Sequence, residues 1–272
     1  MVNKNLIDDL RWVLQFETIN DAMNLVDYRI QDWDAQLENL SNNRTLIEDA
    51  FSEVKSHFLG TYFEVLFSFA IRHFTTLEVI CEHEQIHLSG RTLGEVDLIV
   101  RTPQGEFIQF EIAIKFYLQR PDLVPHDWIG PNKNDSLYKK TERALTHQLT
   151  ILKTDEGIEW LKSRSLPVVE RTELLVFGRL FYDFLNRHRH HSDAVWIRFD
   201  DFCRAAFSSL AIAKKPHWLT HAEDMEYIDH SECCLYLKEC FTTDSRPVLF
   251  AVYDEFMIND GNKWVFVVPN AW

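Results

Sequence analysis

Apolar residues recur at helical spacing at Leu6, Leu10, Val13 and Leu14, which predicts a helix near the start of the chain, and a second helical segment follows over about Ala22–Leu40. The polar run "LSNNRT" breaks it. From Leu46 to about Phe74 a longer helical pattern begins, and its second half, "FLGTYFEVLFSFAIRHF", is apolar almost all round, the mark of a helix buried on most sides. One strip of it differs. Gly60, Glu64 and Ser68 fall at i, i+4 and i+8 and share a face, so a carboxylate stands there between two small residues.

The period then changes from helical to alternating. Leu77–Leu88, Glu95–Arg101 and Phe107–Leu118 read as strands, the last two joined by the turn "TPQGE". In the third, Ile108, Phe110, Ile112, Ile114, Phe116 and Leu118 alternate with Gln109, Glu111, Ala113, Lys115 and Tyr117, which puts Glu111 and Lys115 on one face. By the same parity Glu95 and Asp97 share a face opposite Val96, Leu98 and Val100. The turn-rich stretch "QRPDLVPHDWIGPNKND" leads into a predicted helix over about Asp135–Lys153, with Asp135 as its cap, and "TELLVFGRLFY" (Thr172–Tyr182) reads as a buried strand. Beyond Ser192 come a helix near Asp200–Ile212 and two short strands, "PVLFAVY" and "KWVFVVP". Helix, three strands, helix, strand is an α/β layer arrangement: a mixed sheet flanked by helices. No linker or repeat interrupts it, so residues 1–272 read as one globular domain, with a core over about 46–182, a helical extension over 1–45 and an α+β extension over 193–272.

Composition narrows the classes. With 46% apolar and 13% aromatic residues the chain can fill a core. Its five cysteines form no C-x-x-C, so reduced thiols are expected rather than a disulfide framework or a zinc knuckle. Asp8 and Asp9 interrupt any apolar leader and no uncharged run could span a bilayer, so the expected location is the cytoplasm, away from membranes. The net charge of −14 weighs against nucleic acid as a partner. Its distribution softens that objection: residues 61–192 carry 16 basic and 18 acidic groups, against 5 and 11 in residues 1–60 and 7 and 13 in residues 193–272.

Glu95, Asp97, Glu111 and Lys115 therefore sit in two adjacent apolar strands, where charge is costly unless water or an ion faces it. A solvated sheet face with a Glu–Lys cross-pair is the plain explanation. The alternative is a site for a hard divalent cation, in which Asp97 and Glu111 supply oxygen ligands, Lys115 stands near the attacked group and Glu64 completes the metal's second side. Adjacent histidines in "NRHRHH" (Asn186–His191) read as a surface loop rather than metal ligands.

A helix carrying Glu64, a G-E-x-D strand, a short hairpin, and an acid-and-Lys strand followed by a helix resemble the core of the PD-(D/E)xK nuclease superfamily over roughly residues 46–182. More narrowly, "FEIAIKFYL", "GPNKNDSLYKK", "HQL" (His147–Leu149) and "WVFVVPNAW" resemble a bacterial family of unknown function grouped with that superfamily. The resemblance implies a restriction-endonuclease-like αβββαβ core and hydrolysis of phosphodiesters with Mg²⁺ or Mn²⁺. In it Asp97 and Glu111 hold the metal, Glu64 supports it and Lys115 positions the attacking water. Glu95, Gln109, Lys139, Lys140, Arg143, His147 and Gln148 are the candidate substrate contacts, and the implied partner is nucleic acid, DNA before RNA. One position departs: the superfamily's acid lies two residues before its lysine, where this chain has Ala113. A decayed site acting as a nucleic-acid- or protein-binding module is the second expectation.

Overall fold

A computed structural model describes residues 4–20, 22–40, 50–51, 58–88, 90–189, 194–222, 224–253 and 263–272. The break at "LSNNRT", most of the first half of the helical pattern over 46–74 and the last two histidines of "NRHRHH" lie outside the described residues. The chain forms two compact units, residues 1–114 with 139–178, and residues 115–138 with 179–272. In chain order the elements are α1 (Lys4–Gln15), α2 (Trp33–Leu40), α3 (Leu59–Phe74), β1 (Glu78–Leu88), β2 (Arg91–Arg101), β3 (Phe107–Gln119), β4 (Trp128–Ile129), α4 (Leu137–Thr146), α5 (Asp155–Ser163) and β5 (Arg171–Asp183). They continue with β6 (Ala194–Arg198), α6 (Phe199–Arg204), β7 (Ser209–Ile212), β8 (Ile228–Asp229), α7 (His230–Thr243), β9 (Val248–Tyr253) and β10 (Lys263–Val268). The result is a mixed α/β protein with helices flanking a mixed sheet.

In the first unit the strand order is β1-β2-β3-β5. The apolar helix α3 is its hub: Phe67 meets Phe110 of β3 at 6.5 Å and Phe177 of β5 at 5.5 Å, and Phe63 meets Phe177 at 5.2 Å. Aromatic pairs in such tilted and edge-on geometries add to the burial energy of their rings. The one polar strip of α3 turns to β1, where Ser68 donates to Glu82 and Arg72 Nη2 lies 2.7 Å from its other oxygen. Burial pushes the Glu82 carboxyl up, but these two donors outweigh it and hold the group below its ordinary value.

Strict alternation fails in β1 and β2, and the failure sets up the site. Cys81 and Ile86 lie in one apolar cluster with Val96, Ile99, Ile151, Leu152, Trp160 and Leu161, although each strand pair is separated by an odd number of residues. An undistorted strand would send Cys81 and Ile86 to opposite faces. In β1 the inversion occurs at His83, whose φ of 50° is left-handed. A non-glycine residue there costs on the order of 1 kcal/mol. The pairs Glu82↔Leu98 and Glu84↔Val96 keep one register on either side, so His83 lies level with Asp97.

The expected solvated face of β3 is absent. Ile108 to Ala113 are all buried, because α4 and the 3-10 turn Gln148–Lys153 cover the side that carries Gln109 and Glu111. The helix predicted over Asp135–Lys153 begins at Leu137 and gives way to that turn after Thr146. Asp135 does not simply cap it: its carboxylate takes Lys115 Nζ at 2.7 Å, the Tyr117 hydroxyl and the amide of Ser136. Helix α5 was not evident from periodicity. It is started by Thr154, whose hydroxyl accepts from Gly157 N at 3.0 Å, and a Cβ on Gly157 would stand 2.0 Å from Ile151 O. Thr154→Ala is expected to cost about 1 kcal/mol in urea unfolding, the usual worth of such a cap.

In the second unit the strand order is β5-β6-β10-β9-β7-β8, with β4 on β3 through Leu118↔Ile129. The helix predicted near Asp200–Ile212 ends at Arg204, and Ser209–Ile212 instead forms β7 against β9. Phe202, Leu210, Leu237, Phe250, Val265 and Val267 form the core there. Two tryptophans close backbone acceptors: Trp196 Nε1 donates to Gln119 O and Trp272 Nε1 to Pro131 O. No described helix is long and apolar enough to cross a membrane.

Candidate functional site

The β2–β3 ladder runs antiparallel from Arg101↔Phe107 to Leu98↔Phe110, and the next pair in that register would be Asp97 with Glu111. There a side chain replaces the backbone bond: Asp97 Oδ2 accepts the amide of Ile112 at 2.8 Å. Two carboxylates thus stand at the same level of neighbouring strands, in surroundings the fold has made apolar. Glu111 is 4% exposed. Burial, then the Glu111 charge, raise the Asp97 carboxyl to about 7, while the Ile112 amide and Lys140 pull it the other way.

Lys140, from α4, puts Nζ 2.6 Å from Glu111 Oε1 with only 14% of its side chain exposed. Gln148 Nε2 reaches the same oxygen at 2.5 Å, and Gln109 Nε2 in turn donates to Gln148 O at 3.1 Å. Both bonds to Glu111 fall on Oε1. Each amide is oriented by the acceptor its NH₂ meets, which leaves Gln109 Oε1 and Gln148 Oε1 buried with no hydrogen-bond partner among the described residues. Glu64, on the polar strip of α3, feels the same field: burial raises its pKa, with Glu95 and Glu111 adding to the rise and His83 opposing it. His83 Nδ1 lies 3.9 Å from Glu95 Oε1, and Glu95 is exposed.

The structure thus brings Asp97, Glu111, Lys140, Gln148 and Gln109 into one bonded or coupled cluster, with Glu64, Glu95 and His83 at its edge. Lys115 belongs to the second unit and is paired with Asp135. Lys139, Arg143 and His147 are exposed along α4 and the residue after it. The sequence offers Lys140 only as a candidate substrate contact; neither its buried ion pair nor the left-handed φ of His83 has a local signature.

Among the described residues no three His, Cys, Asp or Glu side chains form a ready metal cage. Mg²⁺ does not require one, since one or two carboxylates suffice when waters and a phosphate complete its shell. The donor set fits a hard cation. Asp97 and Glu111 offer carboxylate oxygens, Gln109 and Gln148 each carry a buried amide oxygen without a partner among the described residues, and the Lys140 ammonium already stands as a positive charge against both acids.

Residues 3–268 match the family described as "Domain of unknown function (DUF1853)". The chain belongs to this family. The DUF1853 span contains every residue of the cluster, from Glu64 to Gln148, and nearly all of both units. No curated protein and no solved structure matches the chain.

Proposed function

We propose that the protein is a Mg²⁺-dependent phosphodiester hydrolase of PD-(D/E)xK type that acts on nucleic acid, DNA before RNA. The Asp97–Glu111 pair carries this reading: two carboxylates level on adjacent strands, one of them raised to about 7 by burial and then by the other's charge, face the Lys140 ammonium. Asp97 and Glu111 would hold the cation. Bound there, Mg²⁺ would polarise the phosphate and make a water nucleophilic near neutral pH. The chain supplies the rest. Ile112 N–H fixes the Asp97 carboxylate, Lys140 and Gln148 fix Oε1 of Glu111 and leave Oε2 to a ligand, and Glu64 adds negative charge from α3. Exposed Lys139, Arg143 and His147 would meet the phosphate backbone.

The test is nicking of supercoiled plasmid by purified protein with Mg²⁺ or Mn²⁺. Wild-type protein is expected to nick, and Asp97→Ala to lose at least about a hundredfold. Undiminished cutting by Asp97→Ala would remove the assignment. A binding module with a decayed site is favoured by the same Lys140–Glu111 bond, because the ammonium already neutralises one acid. That alternative requires no nicking and no heat on calorimetric titration with millimolar Mn²⁺.

A further inference from the structure

We propose that Lys140, not Lys115, is the catalytic lysine of this site, an inference that rests on the hydrolase reading above. In the acid-x-Lys pattern the lysine follows the acid by two residues. The β2–β3 register fixes which residue is the acid, since Glu111 is the one that falls level with Asp97. The position two residues on is then Ala113, a buried methyl that carries no charge. The departure from the pattern is therefore a missing lysine rather than a missing acid.

Lys115, two residues further along β3, has its ammonium 2.7 Å from Asp135, which also receives the Tyr117 hydroxyl at 3.4 Å. Lys140 arrives from a different element, 29 residues away in sequence, and places its ammonium 2.6 Å from Glu111. Its charge also reaches Asp97, whose carboxyl it stabilises in the ionised form. An ammonium has three donors. One is engaged by Glu111 Oε1, and among the described residues the other two meet no acceptor, which would leave them for the attacking water or a non-bridging phosphate oxygen. In this role Lys140 orients the water and offsets the negative charge gathering on the phosphoryl oxygens. The water oxygen forms a new P–O bond and gives a proton to solvent, while the bond to the leaving oxygen breaks and that oxygen takes a proton from solvent. With only 14% of its side chain exposed, Lys140 is less screened by water than a surface lysine.

The assignment has a signature apart from turnover. In the free protein the Lys140 charge competes with any cation that approaches Glu111. Lys140→Met is therefore expected to bind Mn²⁺ roughly tenfold more tightly by calorimetry, yet to nick plasmid at least about a hundredfold more slowly. Lys140→Arg keeps the ion pair and guards against misfolding; it should bind Mn²⁺ as wild type does and still nick at least about tenfold more slowly, because a planar fork cannot reproduce the ammonium's donors. The rival assignment requires the loss with Lys115→Met and none with Lys140→Arg, and that pattern would overturn the proposal while leaving the hydrolase reading intact. Wild-type cutting by both Lys140 variants would also overturn it. A wild-type protein that neither binds Mn²⁺ nor nicks would instead remove the hydrolase reading and this assignment with it.

Discussion

Asp97→Asn is expected to stabilise the protein at pH 8 and to leave its stability almost unchanged at pH 4. The Asp97 carboxyl stands at about 7 in the fold, against 3.8 ordinarily, because burial and Glu111 both penalise its charge. A raised carboxyl pKa means that the fold prefers the neutral form. Below about pH 4 the group is neutral folded and unfolded, and it costs nothing. As pH rises towards 7 the unfolded chain ionises first, and above 7 the folded chain carries the full penalty. Asparagine keeps an oxygen for the Ile112 amide, now at 2.8 Å from Asp97 Oδ2, and removes the charge. The whole shift would amount to about 4 kcal/mol; relaxation and partial access of water at Asp97 reduce that to on the order of 2 kcal/mol, or about 5 °C in Tm. Thermal melts of the two proteins at pH 4 and pH 8 check it. A gap that does not widen with pH would mean that Asp97 is not held against its charge. Mn²⁺ should close the gap at pH 8, since a cation bound to the native state stabilises only the protein that retains the carboxylate.

Much of this arrangement was legible in the sequence. The apolar helix α3, the strands β1, β2, β3 and β5 and the C-terminal strands all announced themselves by period, and Asp97, Glu111 and Glu64 were conspicuous as charges in apolar runs. What failed was the inference about faces. Alternation in β3 suggests one dry side and one facing water or an ion, but α4 and the following turn cover the second side, so Glu111 is buried. In β1 the left-handed His83 turns the strand over, and no pattern of side chains reports a backbone angle. Elements α5, β6 and α7 were missed because their apolar positions are few or mixed with charge, and tertiary packing rather than propensity holds them. Lys140 is the sharpest case. In "YKKTER" it looks like any lysine on a solvated helix, and only the docking of α4 on β3 brings it to an acid 29 residues away.

That docking makes the Lys140–Glu111 pair the most sensitive point of the first unit. Lys140→Met would leave a carboxylate with 4% exposure and only the Gln148 amide to face it, and the loss of one partner of a buried ion pair costs about 3 kcal/mol. Urea unfolding of Lys140→Met is expected to show a midpoint lowered by roughly 1 M or more, given a slope of about 2 kcal/mol per molar for a protein of this size. The double variant Glu111→Gln with Lys140→Met should recover more than half of the loss, because a neutral amide replaces the orphaned charge. Equal stabilities for Lys140→Met and the double variant would show that the pair is not coupled in solution. Mn²⁺ then separates structure from function. A lysine that merely neutralises Glu111 leaves a carboxylate which metal ignores, whereas a lysine placed beside a cation site leaves one which metal seeks. On the second view millimolar Mn²⁺ raises the Lys140→Met midpoint more than it raises that of wild type or of the double variant, which keeps Asp97 but lacks the Glu111 charge.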